Sequence, residues 1–344
     1  MHMADALISP EVGISFWALS VGGIAYSAKK LKDNMDDKLI PLMGVLGAFV
    51  FAAQMINFTI PGTGSSGHLG GSMLLSILLG PYAAFVVMAS ILTIQALFFA
   101  DGGLLALGCN IWNLGFYTSF IAYPLIYKPL AKNGKNTFLA TLLSSIIGLQ
   151  LGAFSVVLQT YFSGISELPF KAFVMLMQPI HLAIGIVEGI VTTAIIRFAA
   201  SVKPDILEGV YNLNNQNTTG SMKKVILMFL ILTFVVGGFL SWFASSNPDG
   251  LEWSIEKVYG KPELPEKEGG ILTKIKEIQE KFAILPDYTF KKVETKETPA
   301  QKEEEKYPNI DVGTTVSGVV GSIMVILLLM GTGFLIKAFK KRTV

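Results

Sequence analysis

Long apolar runs separated by short polar stretches make up most of the chain. A helix needs about 20 residues to cross the ~30 Å hydrocarbon layer of a membrane. The apolar pattern predicts helical segments at residues 12–28, 39–58, 70–80, 82–100, 104–127, 137–163, 171–199, 224–246 and 312–338. We therefore expect an all-α integral membrane protein, with a bundle of seven helices followed by two additional transmembrane helices.

The segment at residues 70–80 is too short to span a membrane alone. It is either a half-helix buried in protein or a span that the turn at Gly80 and Pro81 completes. Basic residues close to segment ends should lie in the cytoplasm, and they fall on one side only if this segment counts as a crossing. Those residues are Lys29, Lys30, Lys32, Lys128, Lys132, Lys135, Arg197, Lys203, Lys223, Lys224, Lys337, Lys340, Lys341 and Arg342. Counting it predicts an extracytoplasmic N-terminus and a cytoplasmic C-terminus.

Composition divides the chain into two units. Residues 1–200 form the seven-segment unit, residues 201–222 are a polar, Asn-rich linker, and residues 223–344 form a second unit of two spans. The spans of the second unit flank a charged loop, 247–311, which holds 15 of the 25 acidic and 11 of the 27 basic residues. The same orientation argument places this loop on the extracytoplasmic side.

Two parts of the charged loop differ in pattern. Residues 271–285 have helical periodicity, whereas Lys291 to Lys306 are rich in Lys and Glu without apolar rhythm and are predicted to be disordered. The whole chain is 51% hydrophobic and 15% charged, with a net charge of +2. That balance excludes a nucleic-acid-binding protein, which would present a basic face. The single cysteine, Cys109, excludes a disulfide framework and a thiolate metal cluster.

The first two residues have the chemistry of a nitrogen-based metal site. The amine of Met1, the amide nitrogen of His2 and the Nδ1 atom of His2 can close a five-membered and a six-membered chelate ring on one divalent cation. A fourth donor would come from His68 or His181, because the chain has three histidines. Four planar nitrogens suit Ni(II) or Cu(II), and Co(II) less well. This site requires Met1 to be retained, and residues 1–13 lack the basic start of a secretory leader.

His68 lies in a glycine-rich loop, residues 54–72, which folds tightly at the outer membrane edge according to the predicted topology. A lone histidine in such a loop is usually solvated or a cap. Here the same topology puts it on the face that carries His2, which favours it as the fourth donor. Because amine and imidazoles bind a metal only when deprotonated, we expect affinity to fall at acidic pH.

His181 and Glu188 are ionisable residues inside an apolar segment and are two helical turns apart on one face. Such residues are expensive in a membrane and are usually paired or functional. The pattern favours a hydrogen-bonded brace between helices. A transient metal relay through His181 toward the interior is the less favoured interpretation.

Polar residues also mark the outer ends of segments. For Asn57 we expect both helix capping and hydrogen bonds that orient the imidazoles, whereas for Asp101 we expect capping. Asn110 and Asn113 have the same two possible roles.

A different chemistry is suggested by Gly64-Ser65-Ser66-Gly67 together with His181. Ser66 and His181 imitate the serine–histidine dyad of rhomboid-type intramembrane proteases. Ser66, however, lies in a Gly/Pro-rich loop at the membrane surface instead of within an opened helix. A protease is therefore a minor alternative.

Several motifs together resemble the CbiM/NikM family, the substrate-specific components of energy-coupling-factor (ECF) cobalt and nickel transporters. The resemblance covers residues 1–200. It rests on Met1 to Pro10, Gln54 to Phe58, Pro61, Gly62, Ser66 to Leu69, Leu79 to Pro81, Gln95 to Gly103, Pro179, His181, Gly185, Glu188 and Gly189. It implies that the Met1 amine, the His2 amide and imidazole, and the His68 imidazole hold the metal. The last ~120 residues look like a fused NikN/CbiN-type subunit.

The chain contains no Walker A sequence, so it cannot hydrolyse ATP itself. The resemblance implies three partners: a transmembrane coupling subunit and a pair of cytoplasmic ATPases. Residues and resemblance together predict a lipid-embedded, multi-pass protein of a prokaryotic cell membrane. It is not an enzyme and needs no organic cofactor. It captures Ni(II), or alternatively Co(II), at its outer face for ATP-driven import.

Overall fold

The computed structural model describes residues 1–34, 38–132, 136–166, 168–203, 206, 221–265, 270–290 and 308–341. Most of the linker predicted at residues 201–222 lies outside the described residues. The stretch at 291–306, predicted to be disordered, also lies outside them.

Helices make up most of the first unit. They are α1 (Pro10–Asn34), α2 (Leu39–Gln54), α3 (Ser72–Leu79), α4 (Pro81–Phe98), α5 (Leu107–Ile111), α6 (Lys128–Leu130), α7 (Thr137–Ser163) and α8 (Phe170–Val202). A π-helical segment, Trp112–Tyr127, joins α5 to α6 without a break. A 3-10 turn, Asp5–Leu7, precedes α1.

The second unit contains both long and short helices. They are α9 (Met222–Gly238), α10 (Gly250–Tyr259), α11 (Gly270–Phe282) and α12 (Val312–Lys341), with 3-10 turns at Leu240–Phe243 and Pro286–Tyr288. The helix predicted at residues 271–285 corresponds to α11. Both α10 and α11 belong to the charged loop between the two apolar helices.

Within the described residues, four helices are long and apolar enough to cross a membrane. They are Pro81–Phe98, Thr137–Ser163, Phe170–Val202 and Val312–Phe339. Helix α2 is apolar but shorter, with 16 residues. Each apolar segment predicted from the sequence overlaps a helix of the structure. The arrangement of seven spans plus two, and the side on which each loop lies, stay predictions.

The short segment between His68 and Gly80 is a half-helix buried in protein. Helix α3 has eight residues, about 12 Å of length, and all of them are buried. It starts after Gly71 (φ 76°) and ends at Gly80 (φ 82°), two left-handed positions that favour glycine. Pro81 then starts α4 at the position where a helix tolerates proline. Its length gives no support to counting α3 as a separate crossing.

The loop at residues 54–72 contains a small β-hairpin, which departs from the all-α prediction. Strands β1 (Phe58–Ile60) and β2 (Ser65–Gly67) pair antiparallel, with Phe58 opposite Gly67. Gly62 and Gly64 have positive φ in the connecting turn. Strands of three residues are too short to leave an alternating pattern in the sequence, so hydropathy could not reveal them. The hairpin places His68 directly after its second strand.

The second unit packs directly on the first. Helices α9 and α12 both lie against α2 and against each other. Small residues allow the close approach, since a Cβ added to Gly237 of α9 would lie 3.3 Å from the Cα of Gly318 in α12. Helix α10 packs on α8, and α11 packs on α4. The charged loop is thereby held over one end of the first unit.

Candidate metal site

The N-terminal residues are inserted into the protein. Only 4% of Met1 and none of Met3 is exposed. The main chain of Met3 donates to Asn110 Oδ1 at 2.8 Å and accepts from Asn110 Nδ2 at 3.2 Å and from the amide of Gly103 at 2.9 Å. These bonds hold the first residues of the chain in place, so that the Met1 amine and the His2 imidazole point into the interior.

Glu188 fixes the loop that follows His68. Its Oε2 accepts from the amide of Gly70 at 2.7 Å, and its Oε1 accepts from the amide of Gly71 at 3.2 Å. His68 Nδ1 lies 3.2 Å from the carbonyl oxygen of Leu69. Because a carbonyl oxygen only accepts, this contact favours a proton on Nδ1 and leaves the Nε2 lone pair free.

The amine and both predicted imidazoles meet at one buried point. The Met1 nitrogen lies 3.1 Å from His68 Nε2. The rings of His2 and His68 stack with centroids 5.1 Å apart and planes 18° apart. His2 Nδ1 faces Asp101 Oδ1 at 3.2 Å, while His2 Nε2 is buried without a hydrogen-bond partner among the described residues. The structure thus brings together Met1, His2 and His68, as the sequence predicts.

Asp249, which no motif in the sequence marks as a site residue, completes the cluster. Its Oδ2 accepts from the Met1 amine at 2.7 Å and lies 4.0 Å from His68 Nε2. Its other oxygen caps α10 through the amides of Leu251 and Glu252, and Glu252 completes a capping box. An Asp followed three residues later by Glu signals a helix start in the sequence. It does not reveal that the start contacts residue 1.

Burial determines the charges in this cluster. Burial, followed by the positive charge of the Met1 amine, lowers the pKa of His2 and the pKa of His68 to about 3. Both imidazoles are therefore neutral at physiological pH, as metal ligands must be. Burial alone would raise the pKa of Asp249, but the Met1 amine and His68 hold it well below its usual range. Burial raises the pKa of Asp101.

The donors available to a cation include main-chain nitrogens as well as imidazoles. Among the described residues, no group of three or more His, Cys, Asp or Glu side chains is arranged to hold a metal ion. A site at this point therefore needs the amine and the His2 amide in addition to the imidazoles. A cation bound at His2 Nδ1 would take the place of the proton that Nδ1 shares with Asp101, because a ring nitrogen uses the same lone pair for either.

His181 lies beside the cluster but is not paired with Glu188. It lines one small cavity together with Met1, His68 and Asp249. Its Nδ1 donates to the Met177 carbonyl in its own helix at 2.8 Å, and its Nε2 has no hydrogen-bond partner among the described residues. The predicted His181–Glu188 brace is therefore wrong. Glu188 does brace the fold, but it joins α8 to the loop after His68.

The serine–histidine dyad of the protease alternative is not formed. The Ser66 hydroxyl donates to the Asn247 carbonyl at 2.7 Å, which ties β2 to the second unit instead of to His181. A nucleophilic serine needs its base within hydrogen-bond reach. The arrangement gives Ser66 a structural role.

Asn57 and Asp101 make contacts other than those expected of them. Asp101, expected to be a cap, contacts His2 and accepts a hydrogen bond from the Tyr288 hydroxyl. Asn57 uses its main-chain carbonyl to accept from the amide of Ser245 at 2.7 Å. Asp101 thus orients the imidazole of His2, and Asn57 joins the hairpin to the second unit.

The second unit covers the site through hydrogen bonds to the hairpin and to α4. The amide of Ser66 donates to the Pro248 carbonyl at 2.8 Å, and the Trp253 indole donates to the Thr63 carbonyl at 3.0 Å. On the other side, the Gln279 side chain donates to the carbonyls of Ala96 and Gly102. Together with Tyr288, these contacts close both flanks of the cluster.

Two family models match the chain in succession. The model for CbiM, the cobalt uptake substrate-specific transmembrane region, matches residues 2–206, and the PDGLE domain model matches residues 223–338. The capping segment, Pro248 to Glu252, has the sequence Pro-Asp-Gly-Leu-Glu.

Similar proteins include both fused and single-unit chains. A protein of Archaeoglobus fulgidus assigned as a fused nickel transport protein, NikMN, is 29% identical over 330 residues, 95% of this chain and 96% of its own length. The cobalt transport protein CbiM of Sorangium cellulosum is 29% identical over 214 residues, 60% of this chain and 95% of its own. The crystal structure of a truncated transition metal transporter has a TM-score of 0.53 and 29% identity, and the match covers 58% of this chain and 99% of that one.

The CbiM match contains every residue of the amine–imidazole cluster except the Met1 amine itself, and the PDGLE match contains Asp249. The chain belongs to the CbiM family of substrate-specific transmembrane regions and carries a PDGLE domain behind it.

Proposed function

We propose that this protein captures Ni(II) at the extracytoplasmic face of a prokaryotic cell membrane. The cation is bound by four nitrogens, those of the Met1 amine, the His2 amide, His2 Nδ1 and His68 Nε2. The observation that carries this proposal is the buried approach of the Met1 amine to His68 Nε2, 3.1 Å apart beside a second imidazole. Burial that keeps both imidazoles neutral makes their lone pairs available.

Nickel is favoured by the donor set and by the relative that spans both units. Four nitrogens in a plane, two of them from one chelating residue, suit Ni(II) better than Co(II). The Archaeoglobus relative, which matches 95% of this chain, is assigned to nickel. Co(II) is the second candidate, because the Sorangium relative of the first unit is a cobalt transport protein.

Import itself requires partners in this proposal. The chain acts as the substrate-specific component of an ECF transporter, and a separate coupling subunit and a pair of ATPases provide the energy of ATP hydrolysis. The family membership of residues 2–206 supports this role, because that model describes a substrate-specific region. The protein itself catalyses no reaction.

The binding test compares three histidine variants of the purified full-length chain by nickel titration calorimetry. We expect His2→Ala and His68→Ala to lose nickel binding, because each removes a donor from the plane. His181→Ala is the matched control and should keep it. Binding that survives His68→Ala but is lost in His181→Ala would transfer the fourth donor to His181 and refute the proposed set.

The amine has its own test. One residue added before Met1 converts the amine into an amide and removes a donor while leaving every side chain in place. We expect the extended protein to lose nickel binding and the visible d–d absorption of planar Ni(II). The same residue added after Val344 is the control. Normal nickel binding by the N-terminally extended protein would mean that the amine is not a ligand.

Transport and orientation are tested in cells. Nickel accumulation should require co-expression of the coupling subunit and ATPases that can hydrolyse ATP. Single cysteines at Glu263 and Lys132, both exposed, should label from opposite sides of the membrane, with Glu263 reached from outside. Accumulation without active ATPases would contradict the ECF mechanism, and labelling of both sites from one side would contradict the topology.

A further inference from the structure

Two buried glutamines connect the loop after His68 with the imidazole of His2. Gln54 lies at the end of α2 and is 5% exposed, and Gln95 lies in α4 and is fully buried. Gln54 Nε2 donates to the Gly70 carbonyl at 2.8 Å. Gln95 Nε2 in turn donates to Gln54 Oε1 at 2.9 Å.

The Gly70 carbonyl fixes the direction of this chain of amides. A carbonyl oxygen only accepts hydrogen bonds, so the group of Gln54 that meets it must be the NH₂. The Gln54 oxygen therefore points to Gln95, and Gln95 donates to it with its own NH₂. The remaining atom of the Gln95 amide, Oε1, is therefore an acceptor with no freedom to exchange places with the nitrogen.

In the part of the chain that the structure describes, Gln95 Oε1 has no hydrogen-bond partner, and one nitrogen of the His2 ring also lacks one. Gln95 Oε1 and His2 Nε2 are both buried and without a hydrogen-bond partner among the described residues. Asp101 links the two residues: its amide donates to the Gln95 carbonyl at 3.1 Å, and its Oδ1 lies 3.2 Å from His2 Nδ1. The Gln95 side chain also raises the pKa of His2, in keeping with an amide beside this ring. A neutral imidazole carries one proton, and Asp101 Oδ1, 3.2 Å from His2 Nδ1, holds it on Nδ1. Nε2 is then an acceptor, as is Gln95 Oε1, so neither atom can donate to the other.

A cation bound at His2 Nδ1 would resolve this conflict. It takes the position of the proton on Nδ1, and the single proton of the neutral ring then sits on Nε2. There Gln95 Oε1 accepts it. The ring neither gains nor loses a proton overall, and two buried polar atoms become satisfied when the cation binds.

We infer that Gln95 is a positioning residue for the cation: it accepts a hydrogen bond from His2 Nε2 and so holds the tautomer whose Nδ1 lone pair faces the metal. Gln54 and the Gly70 carbonyl set the direction of that bond. A histidine ligand is commonly oriented in this way by an acceptor on its other nitrogen. The inference rests on the proposed function, because it requires a cation at His2.

The direct test is the nitrogen NMR spectrum of the full-length protein labelled with ¹⁵N in its histidine rings. With three histidines the spectrum is simple, and the His2 signals are those missing from His2→Ala. Planar Ni(II) is diamagnetic, so the loaded protein remains observable. On adding nickel we expect His2 Nδ1 to shift as a metal-bound nitrogen and His2 Nε2 to carry a proton.

The possible outcomes separate the inference from the proposed function. If the His2 nitrogens do not respond to nickel, the proposed site itself fails. If they respond, but Nε2 binds the metal or carries no proton, the site stands and the role of Gln95 is refuted.

A substitution provides the second measurement. Gln95→Met keeps the length of the side chain and removes the acceptor, so we expect the Kd for nickel to rise about 10- to 100-fold. The metal-free variant should show His2 protonated on Nδ1. Gln95→Glu keeps an acceptor toward the ring. Its Kd for nickel should lie between that of the native chain and that of Gln95→Met. The control is Gln150→Met, which removes an amide that bonds the Gln178 carbonyl across α7 and α8.

An unchanged Kd and an unchanged His2 spectrum in the nickel-loaded Gln95→Met variant would overturn the inference. If this variant does not fold, the spectrum of the nickel-loaded native chain decides alone.

Discussion

The Met1 amine lies at the centre of the site, because it contacts both a neutral imidazole and a carboxylate. His68 offers it a neutral lone pair at 3.1 Å, and Asp249 offers it a carboxylate at 2.7 Å. When a divalent cation takes the place of the amine's proton, the imidazoles add no charge. The His2 amide must also lose its proton to bind, so its nitrogen coordinates as an anion. Asp249 is then a carboxylate beside the incoming charge, 2.7 Å from the Met1 nitrogen.

The role of Asp249 is tested with Asp249→Asn. Asparagine is an equally good helix N-cap, so α10 should remain intact and only the negative charge is lost. We expect the Kd for nickel to rise about 10-fold. The melting temperature of the metal-free protein should also fall, because the buried Met1 amine loses its counter-charge. Asp311→Asn is the matched control, because Asp311 caps α12 through the amide of Thr314, and it should bind nickel normally. Equal affinities in the two variants would remove Asp249 from the site.

The buried imidazoles also predict how stability depends on pH in the metal-free protein. Their pKa of about 3 lies below the unfolded value of 6.5, so between these values the unfolded chain binds more protons than the folded chain. The free energy of unfolding should therefore fall as pH drops from 6 to 4.5, by about 1.4 kcal/mol per pH unit for each imidazole. Denaturant unfolding in detergent measures it. His2→Gln with His68→Gln should flatten this slope, and an unchanged slope would contradict the assignment.

Helices and a hairpin position these residues. The sequence predicts the helices but not the hairpin. Hydropathy is sufficient to find helices such as α7 and α8, because a long apolar run has few alternatives in a membrane. It could not find the hairpin β1–β2, whose strands have three residues each. It also could not show that Glu188, expected to pair with His181 two helical turns away, instead accepts from the amides of Gly70 and Gly71.

Glu188 is therefore expected to stabilise the His68 loop. Glu188→Leu removes the acceptor of two buried amides, and each buried amide left without a partner costs about 1–3 kcal/mol. We expect a lower melting temperature, weaker nickel binding and faster hydrogen exchange at Gly70 and Gly71. Glu188→Gln retains one acceptor and should be affected less. Protected Gly70 and Gly71 amides in Glu188→Leu would show that the loop is held by other contacts.

At the scale of the whole molecule, the two units form one closed site. The sequence separates them by composition and identifies His2 and His68 from the scarcity of imidazoles. It contains no signal for the contact between Met1 and Asp249, because residues 248 positions apart are joined only by the packing of α10 on α8 and on the hairpin. Polar loops have no periodic pattern that fixes where they dock. The position of the second unit over the site is therefore known only from the structure.

A disulfide should lock this cover. The hydroxyls of Thr59 in β1 and Ser245 in the second unit are 2.9 Å apart, and the native cysteine, Cys109, is buried. We expect Thr59→Cys with Ser245→Cys to cross-link on oxidation and to bind nickel much more slowly, with reductant restoring the rate. Each single cysteine variant is a control. Fast nickel binding by the cross-linked protein would mean that the cation enters without separation of the two units at this point.

The long sequence distance across the site also sets an order of events during synthesis. His68 follows Met1 by 67 residues, whereas Asp249 follows it by 248. At about 5–20 residues per second, the carboxylate leaves the ribosome roughly 10–40 s after His68. During that interval the new chain has its amine and both site imidazoles without the group that neutralises and covers the amine. Enzymes that process or modify a nascent N-terminus therefore have a limited period in which to act before the second unit closes over it.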